Sequence, residues 1–255
     1  MSLSSIQQIG YECEIRFPGY VEIPSGFQHV QSGYCKDEYF LLVAPQARIR
    51  TVDMTHPKQI KVYFMTYKYQ KEGSDFSQDS EPVVWESEPM LTDQDLRNAK
   101  YFMQGRRHKR ILTVEGLRRT YANASGMKIC LDDIEGLGQY TELEMMAQNQ
   151  EQARVFQDII RYTALHLGVD LKRLETRTYP DIFFEKLVQQ DILTGPPPTI
   201  GDIARKYHIP LPSYSGYVER ACRNLVSQCI VVRKDGKYYP TGRGKTNKRE
   251  KGRRS

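Results

Sequence analysis

The sequence predicts an α+β protein: an antiparallel β-barrel with flanking helices, followed by a small separate domain of helices and one hairpin. Three observations predict it. Most of the first 146 residues fall into segments where apolar and polar residues alternate with the period of a strand. Several of these segments carry Glu, Arg and Lys densely on the face opposite the apolar one, and a closed barrel can turn such a face into a charged lumen. The run Thr194-Gly-Pro-Pro-Pro198 then interrupts the chain, because three prolines can neither continue a helix nor pair as a central strand.

Tyr11 to Phe17 alternates, with Glu12, Glu14 and Arg16 on one face and Cys13, Ile15 and Phe17 on the other. Gln46 to Thr51 and Gln59 to Lys68 repeat the habit, and Val83–Glu88, His108–Val114, Leu117–Tyr121, Met127–Asp133 and Gln139–Met146 are further strands. Thr92 to Gln104 reads as a helix between strands, capped by Thr92. Ala147 to Gly168 reads as a helix, because Ala153, Phe156, Ile160 and Leu167 recur at helical spacing. Leu171 to Leu187 continues as short helices or turns. After the prolines, Thr199 caps a helix over Ile200–Tyr207, a second helix covers Tyr217–Ser227, and Asp235-Gly236 turns a hairpin. Helix, turn, helix and hairpin is the order of a winged helix. The expected domains are therefore residues 8–188, a linker at 189–198, a winged-helix-like domain at 199–242 and a disordered basic tail at 243–255.

Composition narrows the class. No apolar run approaches the roughly 20 residues of a membrane span, and the N-terminus lacks a signal-peptide pattern, which predicts a soluble, cytoplasmic protein without a membrane partner. Five scattered cysteines without a C-x-x-C spacing indicate neither zinc nor a disulfide framework. Between Asp191 and Ser255 there are 14 lysines and arginines against 5 acids, a balance of +9, while the whole chain carries +6 and the first 190 residues therefore −3. A concentrated positive field attracts polyanions, and Arg220 and Arg223 on the second helix, with Arg233, Lys234 and Lys237 on the hairpin, are its candidate contacts to RNA or DNA. A protein-docking module of the same fold is the alternative.

The acidic set of the first domain is Glu12, Glu14, Asp132, Asp133, Glu142 and Glu144. Each Glu-x-Glu pair puts two carboxylates on one strand face about 7 Å apart, and such hard oxygen donors suit Mg²⁺ or Mn²⁺. The basic set is Arg16, Arg48, Arg50, Lys61, Lys68 and Arg118, cations of the kind that bind phosphate oxygens. Any single pair of these is more simply a salt bridge on a solvated sheet. The whole set, acids for metal beside cations for phosphate, is what a polyphosphate site requires.

At these residues the chain resembles the CYTH superfamily, the triphosphate tunnel metalloenzymes. Glu12-Cys-Glu14-Ile-Arg16 resembles its Glu-x-Glu-x-Lys signature, Ala47-Arg-Ile-Arg50 and Thr66-Tyr-Lys68 resemble its next two strands, and Ile129 to Glu144 resembles its late motif. Leu174 to Tyr179 resembles the end of the class IV adenylyl cyclase-like branch, and the likeness covers roughly residues 10–188. The resemblance implies an eight-stranded antiparallel tunnel. It implies that Glu12, Glu14, Asp132, Glu142 and Glu144 hold Mg²⁺ or Mn²⁺, that Arg16, Arg48, Arg50, Lys68 and Arg118 grip a triphosphate, and that Glu12, Glu14 and Arg118 serve catalysis. Two departures stand out: Arg16 replaces Lys, and Gly116 stands where the family has Lys, so one cation is missing unless Arg119 or Lys109 supplies it.

Three functions follow as expectations. One is a cyclase-like enzyme that converts a nucleoside triphosphate to a cyclic nucleotide and pyrophosphate. The second is a triphosphatase acting on a nucleotide, inorganic triphosphate or an RNA 5′ end. The third is a non-catalytic triphosphate sensor that binds nucleic acid. A homodimer is compatible with each.

Overall fold

The computed structural model describes residues 9–41, 46–70, 84–87, 90–105, 110–175, 177–207, 209 and 215–241. The expected tail at 243–255 and Lys109 lie outside them. The chain divides into two compact units, residues 1–177 and 178–255.

The first unit contains β1 (Ile9–Pro18), β2 (Gln28–Leu41), β3 (Gln46–His56), β4 (Ile60–Gln70), β5 (Val84–Ser87), β6 (Met90–Leu91), α1 (Asp93–Gly105), β7 (Leu112–Ala122), β8 (Lys128–Ile134), β9 (Gly138–Ala147) and α2 (Gln150–His166), then a 3₁₀ turn at Leu171–Arg173. The nine strands form one sheet in the order β3-β2-β7-β8-β9-β1-β5-β4-β6, and β3 also pairs with β4. Every pairing is antiparallel. Among the described residues the sheet has nine strands, because the short β5 and β6 both lie along β4.

One face of the sheet is apolar. Cys13, Ile15 and Phe17 of β1, Ile129 and Leu131 of β8, and Leu143, Met145 and Ala147 of β9 form a core with Ala153, Ile160 and Ala164 of α2. The helix is there because Asn149 caps it, its side chain accepting from the Gln152 amide at 2.8 Å, and because its buried residues recur at helical spacing. A smaller core of Phe40, Ala47 and Ile49 takes Leu96 and Ala99 of α1. Strand alternation sends the intervening residues to the other face.

Two expectations are corrected here. Val114 and Leu117, expected on separate strands, lie on one strand, β7, which runs through Gly116 without a break. Gly116 lies so close to β8 that an added Cβ would sit 2.4 Å from the Asp133 carbonyl oxygen and 2.9 Å from Ile134 Cα. The whole of β2, a strand of 14 residues, escaped the sequence reading.

The second unit contains α3 (Tyr179–Thr194), α4 (Ile200–Lys206), α5 (Ser215–Ser227) and the hairpin β10 (Val231–Lys234) and β11 (Lys237–Pro240). Thr178 with Asp181 and Thr199 with Asp202 form reciprocal capping boxes on α3 and α4. Residues 189–194 of the expected linker are helical, since Ile192 extends the buried series Phe184 and Val188. Glu185 of α3 accepts from Asn224 at 3.0 Å and Gln228 at 2.9 Å, which joins α3 to the end of α5. Val218, Ala221, Cys222 and Leu225 form the buried side of α5, and Val231 and Tyr238 that of the hairpin. Thr199 also bridges to Lys237.

Candidate functional site

The charged face is built by register. Glu14 lies opposite Glu144 and Arg16 opposite Glu142 across β1 and β9. Glu144 faces Lys128 and Glu142 faces Cys130 across β9 and β8. Asp132 faces Arg118 across β8 and β7, and Arg50 faces Asp37 across β3 and β2. Directly opposed residues share a face, with Cβ atoms about 5 Å apart.

Side chains bind this face into an ionic network across four strands. Arg16 reaches both Glu14 and Glu142, its Nε donating to Glu142 Oε1 at 2.5 Å. Arg118 donates from Nη2 to Glu142 Oε2 at 2.5 Å, and from Nε and Nη2 to the two oxygens of Asp132 at 2.7 and 2.5 Å. Asp132 is fully buried and Glu142 nearly so. Burial works against the Arg118 charge, but Asp132 and Glu142 outweigh it and hold the guanidinium protonated. Lys128, which the sequence reading did not single out, donates to Glu144 Oε1 at 2.7 Å, and that carboxylate raises its pKa.

A second group lies on β2 and β3. Asp37 accepts from Arg50 Nε at 2.7 Å, Arg50 Nη2 at 2.9 Å and Arg48 Nη1 at 3.2 Å. Burial alone would raise the Asp37 carboxyl; Arg50 and Arg48 outweigh it and hold it below the usual carboxylate range. Asp37 was missed because β2 was missed. In Cys35-Lys-Asp-Glu-Tyr-Phe40 the charged residues fall on both faces, so no simple alternation marks a strand. Burial raises the thiols of Cys35 and Cys130 on the charged face, which makes neither a ready nucleophile.

The segment after α2 is fastened to β1 at Arg16. The Glu175 amide donates to the Arg16 carbonyl at 2.7 Å, and Arg16 Nη1 donates to the Arg177 carbonyl at 3.0 Å. Arg177 in turn holds the Glu175 carboxylate at 2.8 and 2.6 Å.

Of the sequence-derived set, the register thus brings Glu12, Glu14, Arg16, Glu142, Glu144, Asp132, Arg118, Arg48 and Arg50 to one sheet face. Lys61 does not join them. It pairs with Asp53, opposite it on β3, on the face of Ile49, and half of its side chain is exposed. Arg119 is also turned away, lying over the Tyr20 ring at 5.3 Å, so it does not replace the cation absent at Gly116. Lys68 belongs to β4, but its side chain lies outside the described residues. Among the described residues no three His, Cys, Asp or Glu side chains gather closely enough to hold a metal ion as they stand. Glu142 and Asp132 are held by arginines, Glu14 by Arg16 and Glu144 by Lys128, and all four, with Glu12, are hard oxygen donors of the kind a divalent cation takes.

In the second unit Arg220, Arg223, Arg233, Lys234 and Lys237 are all exposed. Arg220 approaches Asp181 at 3.7 Å, and Arg233 lies 5.9 Å from the Tyr238 ring centre. Among the described residues no helix is long and apolar enough to cross a membrane.

No family model matches the chain, and no curated protein does. Solved structures do. A protein of Pyrococcus horikoshii is similar over 69% of this chain and 99% of its own, at 23% identity and a TM-score of 0.58. A conserved protein of Pyrococcus furiosus is similar over 66% and 97%, at 23% identity and a TM-score of 0.52. An inorganic triphosphatase also matches, over 57% and 79%, at 18% identity and a TM-score of 0.27. Over about two thirds of its length, the chain has the α+β fold of the two archaeal proteins.

Proposed function

We propose that the first unit is a metal-dependent enzyme that binds a triphosphate inside an enclosed β-tunnel and, like the class IV adenylyl cyclases its motifs resemble, converts ATP to a cyclic nucleotide and pyrophosphate. The observation that carries this reading is the single sheet face shared by three arginine groups and two Glu-x-Glu pairs. The pairing of β3 with β4 supports the tunnel, because it brings the first strand of the order against the last but one.

In this reading Glu12, Glu14 and Glu144 hold Mg²⁺ or Mn²⁺. The ion, when bound, neutralises phosphate charge and favours attack at phosphorus. Arg16, Arg48, Arg50 and Arg118, with Lys68, grip the phosphate chain. Their guanidiniums are already oriented by carboxylates, so little reorganisation is needed when phosphate arrives. Glu142 and Asp132 act by setting Arg16 and Arg118 and are second in line as metal ligands.

Hydrolysis of a triphosphate is the second reading, favoured by the basic second unit, which would suit a substrate carried on RNA. Here we propose a winged helix. Its support is the order of α4, α5 and the β10–β11 hairpin, with exposed Arg220 and Arg223 on the helix and Arg233, Lys234 and Lys237 on the hairpin. Incubation of the pure protein with Mg²⁺ or Mn²⁺ and ATP, GTP, tripolyphosphate or 5′-triphosphate RNA, with chromatography of the products, tests both readings. Cyclic nucleotide supports the first and orthophosphate the second. No turnover, with triphosphate bound, would favour a sensor, the role to which Gly116 points.

A further inference from the structure

Asp37 faces Arg50 directly across β2 and β3, and its two oxygens take the Nε–Nη2 edge of Arg50 as a fork. One of those oxygens also takes Arg48 Nη1. All three side chains are largely enclosed, with 8% of Asp37, 9% of Arg48 and 16% of Arg50 exposed. Arg48 and Arg50 are two residues apart on one strand, about 7 Å by strand rise. At that spacing two enclosed guanidiniums repel each other, and a long side chain relieves repulsion by rotating away. A two-point contact removes that freedom because it fixes the guanidinium plane as well as its position. The edge held by Asp37 also leaves the Nη1 side of Arg50 turned away from the carboxylate.

We propose that Asp37 is a positioning residue of the phosphate grip: it sets the guanidiniums of Arg48 and Arg50 in the orientation in which they receive a phosphate chain. The proposal rests on the triphosphate reading above. It differs from a simple counterion role in sign. A counterion competes with phosphate, so removing it tightens binding; a positioning group is needed for binding, so removing or displacing it weakens binding.

The test is calorimetric titration of tripolyphosphate into the full chain, with the thermal midpoint of each variant recorded. Asp37→Asn should weaken binding at least tenfold. Asp37→Glu keeps the charge but moves the carboxylate by one methylene, and it should lose a comparable factor; it also serves if the Asn variant does not fold. In a background carrying both Arg48→Ala and Arg50→Ala, Asp37→Asn should add less than threefold, because the groups it orients are gone. Wild-type or tighter affinity in either Asp37 variant would overturn the proposal alone. A folded wild type that binds no tripolyphosphate would overturn the triphosphate reading and this proposal with it.

Discussion

Arg118 of β7 and Glu142 of β9 meet at 2.5 Å although β8 runs between their strands. Asp132, on the intervening strand, takes the Nε–Nη2 edge of Arg118, and the same Nη2 reaches on to Glu142. Replacing Arg118 by Ala removes the guanidinium that the buried Asp132 and Glu142 share and leaves Glu142 to Arg16. We expect a loss of about 3–5 kcal/mol in urea unfolding, together with loss of turnover. A variant as stable as wild type would show that the network is not a buried ion cluster.

Acid should destabilise the first unit through Asp37. Its carboxyl titrates lower in the folded chain than in the unfolded one, so the unfolded state binds the proton more readily. The stabilisation is complete above the unfolded value, about 4, and is lost as pH falls through the folded value. Glu38 and Glu175 are depressed too and add to the same slope. Between pH 7 and below pH 4, stability should fall more in wild type than in Asp37→Asn. Equal slopes in both proteins would refute the assignment.

Gly116 cannot simply be replaced by a cationic residue. A side chain would meet the β8 backbone, so Gly116→Ala should cost about 1–3 kcal/mol by overpacking and Gly116→Lys should not raise activity. Thermal midpoints and turnover rates check both halves. A stable, more active Gly116→Lys protein would mean that β7 and β8 separate easily.

Glu144→Ala should weaken Mn²⁺ binding at least about tenfold, read by calorimetry without substrate, while Lys61→Ala should change neither metal nor tripolyphosphate binding. Lys61 sits on the opposite face, so a strong effect there would contradict the register.

For the second unit, Arg220→Ala with Arg223→Ala should reduce retardation of RNA or DNA on a gel. Wild-type log affinity should fall by about 0.7–0.9 per phosphate contact for each tenfold rise in salt. Loss of binding from the hairpin residues alone, with α5 substitutions silent, would shift the contact surface to β10 and β11.

The sequence was most legible where alternation was clean. Cys13, Ile15 and Phe17 against Glu12, Glu14 and Arg16 gave β1 and its charged face without further help, and Thr199 and Asp235-Gly236 marked α4 and the hairpin. Strand β2 was not legible, since the polar Tyr34, Lys36 and Glu38 share the face from which Phe40 reaches an apolar core. Lys61 was misplaced for a related reason. Charge and strand habit put it among the cations, but its register opposite Asp53 sets it on the other face.

The ionic network has a mechanical side. Glu14, Arg16, Glu142, Arg118 and Asp132 fasten β1, β9, β8 and β7 to one another through side chains as well as backbone. A local fluctuation that frays one of these strands must also strip a buried ion of its partner, so none can open cheaply alone. Amide protons of the four strands should therefore exchange with solvent as one cooperative block, slowly and at similar rates. Strands β5 and β6, short and held outside that block, should exchange first.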